Sequence, residues 1–279
     1  KYKKSKRRIK VKVFDTIIKS KRGSDLVTTI VDCQKENSGL ILFVHGFKAD
    51  RSEGGRFLTV AEALAQDNIN SIMVSFAGCG DSKEPFENYC MTNCLDDIDT
   101  MYQYMLNNYS IDTNRLAMVG YSMGGRLTSI YSNTHPEFKT IALWASATYN
   151  GFDNNDTFLD NNVNEMISQA EKQGYAIAYN SFDNNYLHIS KRFFDDMFQY
   201  KPFDSLSNYQ GNVLLVHGDS DLTVAYDVSV RAYNGLTTQK NKKLLTIHQA
   251  NHGFGLWDNH MEQSEQLTNE TIQFLKENI

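Results

Sequence analysis

Proline is nearly missing from this chain, 3 residues in 279, while 41% of the residues are hydrophobic. That composition excludes a proline-rich disordered protein and leaves enough apolar material to bury a core. No apolar run approaches the roughly 20 residues that cross a bilayer, so a membrane-spanning helix is not expected. No secretory apolar stretch is visible either, and a cytoplasmic location is expected. Cysteine is sparse: Cys33, Cys79, Cys90 and Cys94. Cys90 and Cys94 could share a helix face, but no further His or Cys completes a zinc site. Free, partly buried thiols in a reducing compartment are the expectation. Nucleotide, flavin and metal motifs are lacking too, because VGYSMGG (119–125) does not have the spacing of a phosphate loop. No cofactor and no metal are therefore expected.

The net charge of −5 conceals an asymmetry. Residues 1–22 hold eleven Lys/Arg against the single acid Asp15, leaving 17 basic and 32 acidic side chains beyond them. A basic arm over residues 1–10 could touch anionic lipid. The favoured reading is a solvated leader, since no aromatic interleaving or nucleic-acid motif accompanies it, and no nucleic-acid partner is expected.

Short apolar runs mark strands near 10–17 and 26–33, joined as a hairpin around 21–24. Strands then alternate with helices: strand 40–44, helix 55–67, strand 71–76, helix 91–108, strand 115–119, a helix from Ser122, and strand 140–145. After a break come strand 212–217, helix 224–234, strand 243–248 and helix 260–277. This alternation predicts an α/β fold with a mostly parallel central sheet and helices on both faces. The break, 147–211, is rich in Asn, Asp and aromatics. It reads as an inserted lid packed by a helix that places Ile189, Phe193, Met197 and Phe194 on one face. The expected organisation is thus a core of 1–146 and 212–279 with a lid of 147–211.

The sharpest chemical signal is Gly120-Tyr121-Ser122-Met123-Gly124, a G-x-S-x-G between a strand and a helix. Such a turn strains the serine backbone and projects its hydroxyl at a helix N-terminus, where developing negative charge is stabilised. A serine N-cap with glycines for helix packing is the plain structural alternative. A serine nucleophile needs a base oriented by a carboxylate. QANHGFG (249–255) follows the last strand and offers His252. VHGDSDLTV (216–224) offers Asp219 and Asp221, of which Asp221 is favoured. Both loops leave the C-terminal ends of parallel strands, where open α/β sheets gather their sites. Of the other histidines, His248 is expected inside its strand, and His45 and His217 are expected to orient loops.

HGF (45–47), FAGCGDS (76–82), GYSMGG (120–125), HGDSDLTV (217–224) and ANHGF (250–254) together resemble the α/β-hydrolase superfamily, in order, from about residue 25 to the C-terminus. GDS followed by PFEN (80–88), with the 147–211 insertion, resembles the bacterial cinnamoyl/feruloyl esterases. The chain departs from that family at Cys79, where relatives often carry His, and in its longer, Asn-rich insertion. The resemblance implies Ser122 as nucleophile, Asp221 as acid and His252 as base. It also implies a serine carboxylesterase acting on small esters, with a hydroxycinnamoyl-type acyl group beneath a lid. Tyr186 resembles a lid tyrosine of that family, and Asp153 is a second polar candidate for substrate contact.

Acyl transfer to water then follows. Ser122 attacks the ester carbonyl, His252 takes its proton, and Asp221 holds the imidazole. Two backbone donors must receive the oxyanion. One is the N–H of Met123; the other is expected from Phe47, whose ring would line the acyl pocket. Two further readings stand beside this one: a lipase for monoacylglycerols or short aliphatic esters, with the basic arm at a membrane, and a hydrolase fold reused for binding without catalysis.

Overall fold

The computed structural model describes residues 10–152, 157–159, 161–180, 184–238 and 240–279. Nearly all of the basic arm, residues 1–9, lies outside the described residues, as does Asp153.

Strands β1 (Lys12–Lys19) and β2 (Asp25–Asp32) pair antiparallel, and their turn is closed by Gly23 N–H to Ser20 O at 2.9 Å. Then follow β3 (Ser38–Val44), α1 (Arg56–Ala65), β4 (Ile69–Val74), α2 (Met91–Asn108), β5 (Ile111–Tyr121), α3 (Met123–Thr134) and β6 (Phe138–Trp144). The insertion after β6 carries a short pair, β7 (Thr157–Phe158) and β8 (Asn161–Asn162), then α4 (Val163–Gln173). It continues through β9 (Tyr175–Asn180), β10 (Asn185–Ser190), α5 (Lys191–Gln199) and α6 (Pro202–Asn208). The chain closes with β11 (Asn212–Gly218), α7 (Tyr226–Gly235), β12 (Lys242–Ile247) and α8 (Met261–Asn278).

Among the described residues, eight strands form one sheet in the order β1-β2-β4-β3-β5-β6-β11-β12. β4 pairs antiparallel with β2, and every later neighbour runs parallel. This is the α/β-hydrolase architecture. All seven residues of β3 are buried, because both faces of the sheet are covered. Leu40, Leu42 and Val44 pack with Ile98, Met101 and Leu127 of α2 and α3. Ile41 and Phe43 pack on the other face with Phe57, Val60, Leu267 and Phe274 of α1 and α8. Each fully buried aliphatic or Phe side chain of this kind contributes about 1.5–3 kcal/mol. Trp144, fully buried at the end of β6, keeps its indole N–H satisfied by Thr271 Oγ1 of α8 at 2.9 Å.

The insertion corrects one expectation. Ile189 does not share a helix face with Phe193 and Met197; it is the fifth residue of β10, paired with Ala176 of β9. It is nonetheless fully buried, because Leu187 and Ile189 alternate inward along the strand. Phe193, Phe194 and Met197 of α5 are buried as anticipated. No helix among the described residues is long and apolar enough to cross a membrane.

Candidate active site

Parallel pairing aligns the ends of β3, β5, β11 and β12, so their outgoing loops meet at one edge. Val44 of β3 stands beside Gly120 of β5, which brings His45–Phe47 against the turn that follows Tyr121. That turn consists of Ser122 alone, with φ 53° and ψ −117° between β5 and α3. A non-glycine residue held there is strained and persists only when its surroundings over-determine it. They do: Ser122 N–H donates to Trp144 O at 2.8 Å, and Ser122 O accepts from Gly125, Arg126 and Ala147. Gly124 is required by proximity, since a Cβ there would lie 2.0 Å from Val44 O and 2.5 Å from His45 O.

Ser122 Oγ lies 3.0 Å from His252 Nε2, and His252 Nδ1 lies 2.7 Å from Asp221 Oδ2. A carboxylate only accepts, which assigns the proton to Nδ1 and leaves the Nε2 lone pair facing the serine hydroxyl. His252 and Asp221 are buried, at 5% and 6% exposure. Asp221 Oδ1 accepts the N–H groups of Thr223 and Val224 at 2.8 and 2.9 Å, while Oδ2 is also 3.1 Å from His217 Nε2. Burial pushes the Asp221 carboxyl up, but hydrogen bonds from His217 and His252 outweigh it and hold the group well below the usual carboxylate range. Asp219 points elsewhere: it is bound by His248 Nδ1 at 2.8 Å and by Gln249 N–H at 2.6 Å. His248 therefore departs from expectation. β12 ends at Ile247, and the His248 side chain is 83% exposed.

His45 is fully buried. Its Nδ1–H donates to Gly46 O at 2.7 Å and its Nε2 accepts Phe76 N–H at 3.0 Å. Both contacts require the neutral ring, and burial lowers its pKa to about 4. Among the described residues neither the Phe47 nor the Met123 amide has a hydrogen-bond partner. Met123 is the first residue of α3, one of the helical positions that lack an intrahelical acceptor. The Phe47 ring meets Phe158 at 5.1 Å, Tyr89 at 5.3 Å and Phe86 at 5.4 Å edge-on, with Phe193 at 5.9 Å. Phe158 and Phe193 come from the insertion.

The structure does not bring Tyr186 to this cluster. It stands on β10, 65% exposed, with its ring against Tyr179. Residues not anticipated from sequence surround Ser122, His252 and Asp221 instead. Tyr121 OH donates to His252 O at 2.7 Å, and Arg56 reaches Gly253 O at 2.9 Å. Buried Glu53 accepts Gly46 N–H at 2.6 Å. Their polar names in loop or helix-start positions carry no sequence signal that separates them from solvated residues. Among the described residues, no group of three or more His, Cys, Asp or Glu side chains could hold a metal ion.

The sequence pattern of the prolyl oligopeptidase family matches residues 56–279. No curated protein matches the chain in sequence. Est1E from Butyrivibrio proteoclasticus with ferulic acid bound is similar in structure, with a TM-score of 0.73 at 21% identity over 94% of this chain and 99% of that one. The monoacylglycerol lipase of Paleococcus ferrophilus gives 0.65 at 17% identity over 90% and 98%. An esterase from Exiguobacterium antarcticum gives 0.66 at 17% identity over 94% and 100%.

Proposed function

This chain belongs to the prolyl oligopeptidase family, and on that premise we propose that it is a serine hydrolase of small carboxylic esters, with preference for an aromatic, hydroxycinnamoyl-type acyl group. The observation that carries the chemistry is the Ser122–His252–Asp221 chain, at 3.0 and 2.7 Å. Ser122 Oγ attacks the ester carbonyl as its proton passes to His252 Nε2, and Asp221 stabilises the imidazolium from Nδ1. The oxyanion is received by the N–H groups of Met123 and Phe47. His252 then protonates the leaving alcohol, and a water molecule repeats the sequence to release the acid and restore Ser122.

The aromatic preference is supported by the rings around Phe47, which suit a flat acyl group. Similarity to Est1E with ferulic acid bound supports the same reading. The 147–211 insertion supplies Phe158 and Phe193 to this cluster and acts as a lid over it. Tyr186 and Asp153 stay secondary candidates for substrate contact; the first is exposed and the second lies outside the described residues. A glyceride substrate is the second reading, favoured by the likeness to a monoacylglycerol lipase.

The test is a panel of methyl ferulate, an activated acetate ester, a monoacylglycerol and a prolyl peptide amide, run with the full chain and with Ser122→Ala. Methyl ferulate is expected to turn over fastest and Ser122→Ala to hydrolyse nothing. Wild-type rates in Ser122→Ala, or no labelling of the intact protein by a fluorophosphonate, would overturn the catalytic reading. Faster turnover of the monoacylglycerol or the amide would overturn the substrate class.

A further inference from the structure

We propose that Glu53 is a positioning residue for this reaction, its carboxylate holding the loop that presents the Phe47 amide while Arg56 ties the same carboxylate to the loop of His252. The role rests on the serine hydrolase reading.

Glu53 is 4% exposed, an unusual place for a carboxylate just ahead of a helix. Its backbone sets it there. Residues 53, 54 and 55 all have positive φ, at 51°, 63° and 86°. Two glycines adopt this left-handed turn readily, whereas Glu53 adopts it under strain. The turn carries the Glu53 side chain inward rather than to solvent.

There Oε1 accepts Gly46 N–H at 2.6 Å. The next peptide plane is held independently, since Gly46 O accepts His45 Nδ1–H at 2.7 Å and Ala49 N–H at 3.4 Å. The Gly46 carbonyl and the Phe47 N–H belong to one planar group and point in opposite directions. Fixing the two peptides on either side of Gly46 therefore fixes where the Phe47 N–H aims. Packing adds a limit from the other side, because a Cβ on Gly46 would lie 3.1 Å from the Tyr121 ring and 3.3 Å from Ser122 Cβ.

Arg56 extends the hold to the base. Its Nη2 lies 3.6 Å from Glu53 Oε2, its Nε donates to Glu53 O at 3.0 Å, and its Nη1 donates to Gly253 O at 2.9 Å. The guanidinium sits 5.1 Å from the Tyr121 ring centre, and the Tyr121 hydroxyl holds His252 O. One carboxylate thus links the donor loop, the residue before the nucleophile and the loop of the base. Burial raises Glu53 to about 7 against the Gly46 hydrogen bond and Arg56, which lower it, while Asp50 raises it. Cys79, Tyr89 and Tyr121 lie close enough to interact with its charge, and His45 is hydrogen-bonded to the Gly46 that it holds.

Two substitutions separate hydrogen-bond acceptance from charge. Glu53→Gln keeps an oxygen at the same reach. Glu53→Asp keeps the charge but falls one methylene short of Gly46 N–H. Both are assayed on the activated acetate ester and with the fluorophosphonate, after a melting curve shows each folded. Glu53→Gln is expected to hold kcat within about fivefold. Glu53→Asp is expected to lose about 10-fold to 100-fold in kcat, short of the 10²–10³ for deleting a donor outright, with KM within threefold. Phosphonate labelling should slow in parallel. Wild-type kcat in Glu53→Asp, equal losses in the two variants, or a loss confined to KM would overturn the role. An unlabelled, inactive wild type would overturn the functional reading, and this role with it; an active wild type alongside a fully active Glu53→Asp overturns the role alone.

Discussion

His217 Nε2 lies 3.1 Å from Asp221 Oδ2, the same oxygen that accepts from His252 Nδ1 at 2.7 Å. The His217 proton is shared with Val224 O at 2.9 Å, and its Nδ1 accepts from the Ser229 hydroxyl at 2.6 Å. Ser122 and Ser229 therefore cap the two ends of one hydrogen-bonded chain running through two imidazoles and a carboxylate.

Removing the second imidazole should loosen the carboxylate that holds the first, at a cost to turnover. In His217→Asn, Asp221 Oδ2 loses one of the two ring N–H groups that fix it. On an activated ester kcat is expected to fall by about 2-fold to 10-fold, the equivalent of one hydrogen bond, with KM unchanged. Wild-type kcat in His217→Asn would show that His217 only packs the loop.

Two acids in one short loop invite a direct comparison. Asp221→Asn is expected to lower kcat by about 10⁴, because an amide cannot orient and charge-balance the imidazole as a carboxylate does. Asp219→Asn, whose parent carboxylate is bound by His248 and Gln249, is expected to stay within about twofold. Initial rates on one activated ester decide the matter.

Arg126 anchors the insertion to the helix that begins after Ser122. Its guanidinium is fully buried and donates to Ala147 O at 3.4 Å, Gly151 O at 3.0 Å and Met197 O at 3.2 Å. Among the described residues no carboxylate pairs with it, and burial lowers its pKa to about 10. Arg126→Met fills the stem but strands the carbonyls, at about 1–3 kcal/mol for each one left unsatisfied. A melting temperature lower by at least about 6 °C is expected, because three stranded carbonyls cost about 3 kcal/mol or more and a large domain loses roughly 2–4 °C per kcal/mol. Faster amide exchange over 147–211 than over β3 should accompany it.

The groups that hold Gly46 titrate with opposite effects on stability. Burial depresses His45 from 6.5 to about 4, so the unfolded ring binds protons that the folded one refuses, and stability is lost as pH falls from 6.5 through 4. Burial raises Glu53 from 4.5 to about 7, so stability is fully present below 4.5 and is lost as pH rises through 7. Each shift corresponds to roughly 3 kcal/mol, and the two slopes oppose each other in their shared window. Glu53→Gln removes one slope, so its melting temperature should fall more steeply than the wild type's between pH 6.5 and 4.5. Parallel melting profiles would show that the two groups do not set the acid response.

Much of the fold was legible because short β-branched and aliphatic runs alternating with helical periods leave few sheet topologies open. GYSMGG was readable for a local reason: only one residue separates β5 from α3, and the sequence announces both. The insertion was harder. In LHISKRFF the spacing of Ile189 and Phe193 fits a helix, yet Ser190 ends a strand, and a period of two buries Leu187 and Ile189. His248 misled in a similar way, since β12 stops one residue short of it. Glu53 and Arg56 left no trace in the pattern, because what distinguishes them is a left-handed backbone turn and a contact almost 200 residues away.

In the reaction we propose, Phe47 would contribute its amide to one event and its ring to another, and the two are joined by a single Cα. Phe158 and Phe193 rest on the ring, so an acyl group wedged among them would push on the same residue whose N–H is proposed to meet the reacting carbonyl. Discrimination between a well-shaped and an ill-shaped ester would then register in the turnover number more than in the Michaelis constant, because fit is converted into alignment.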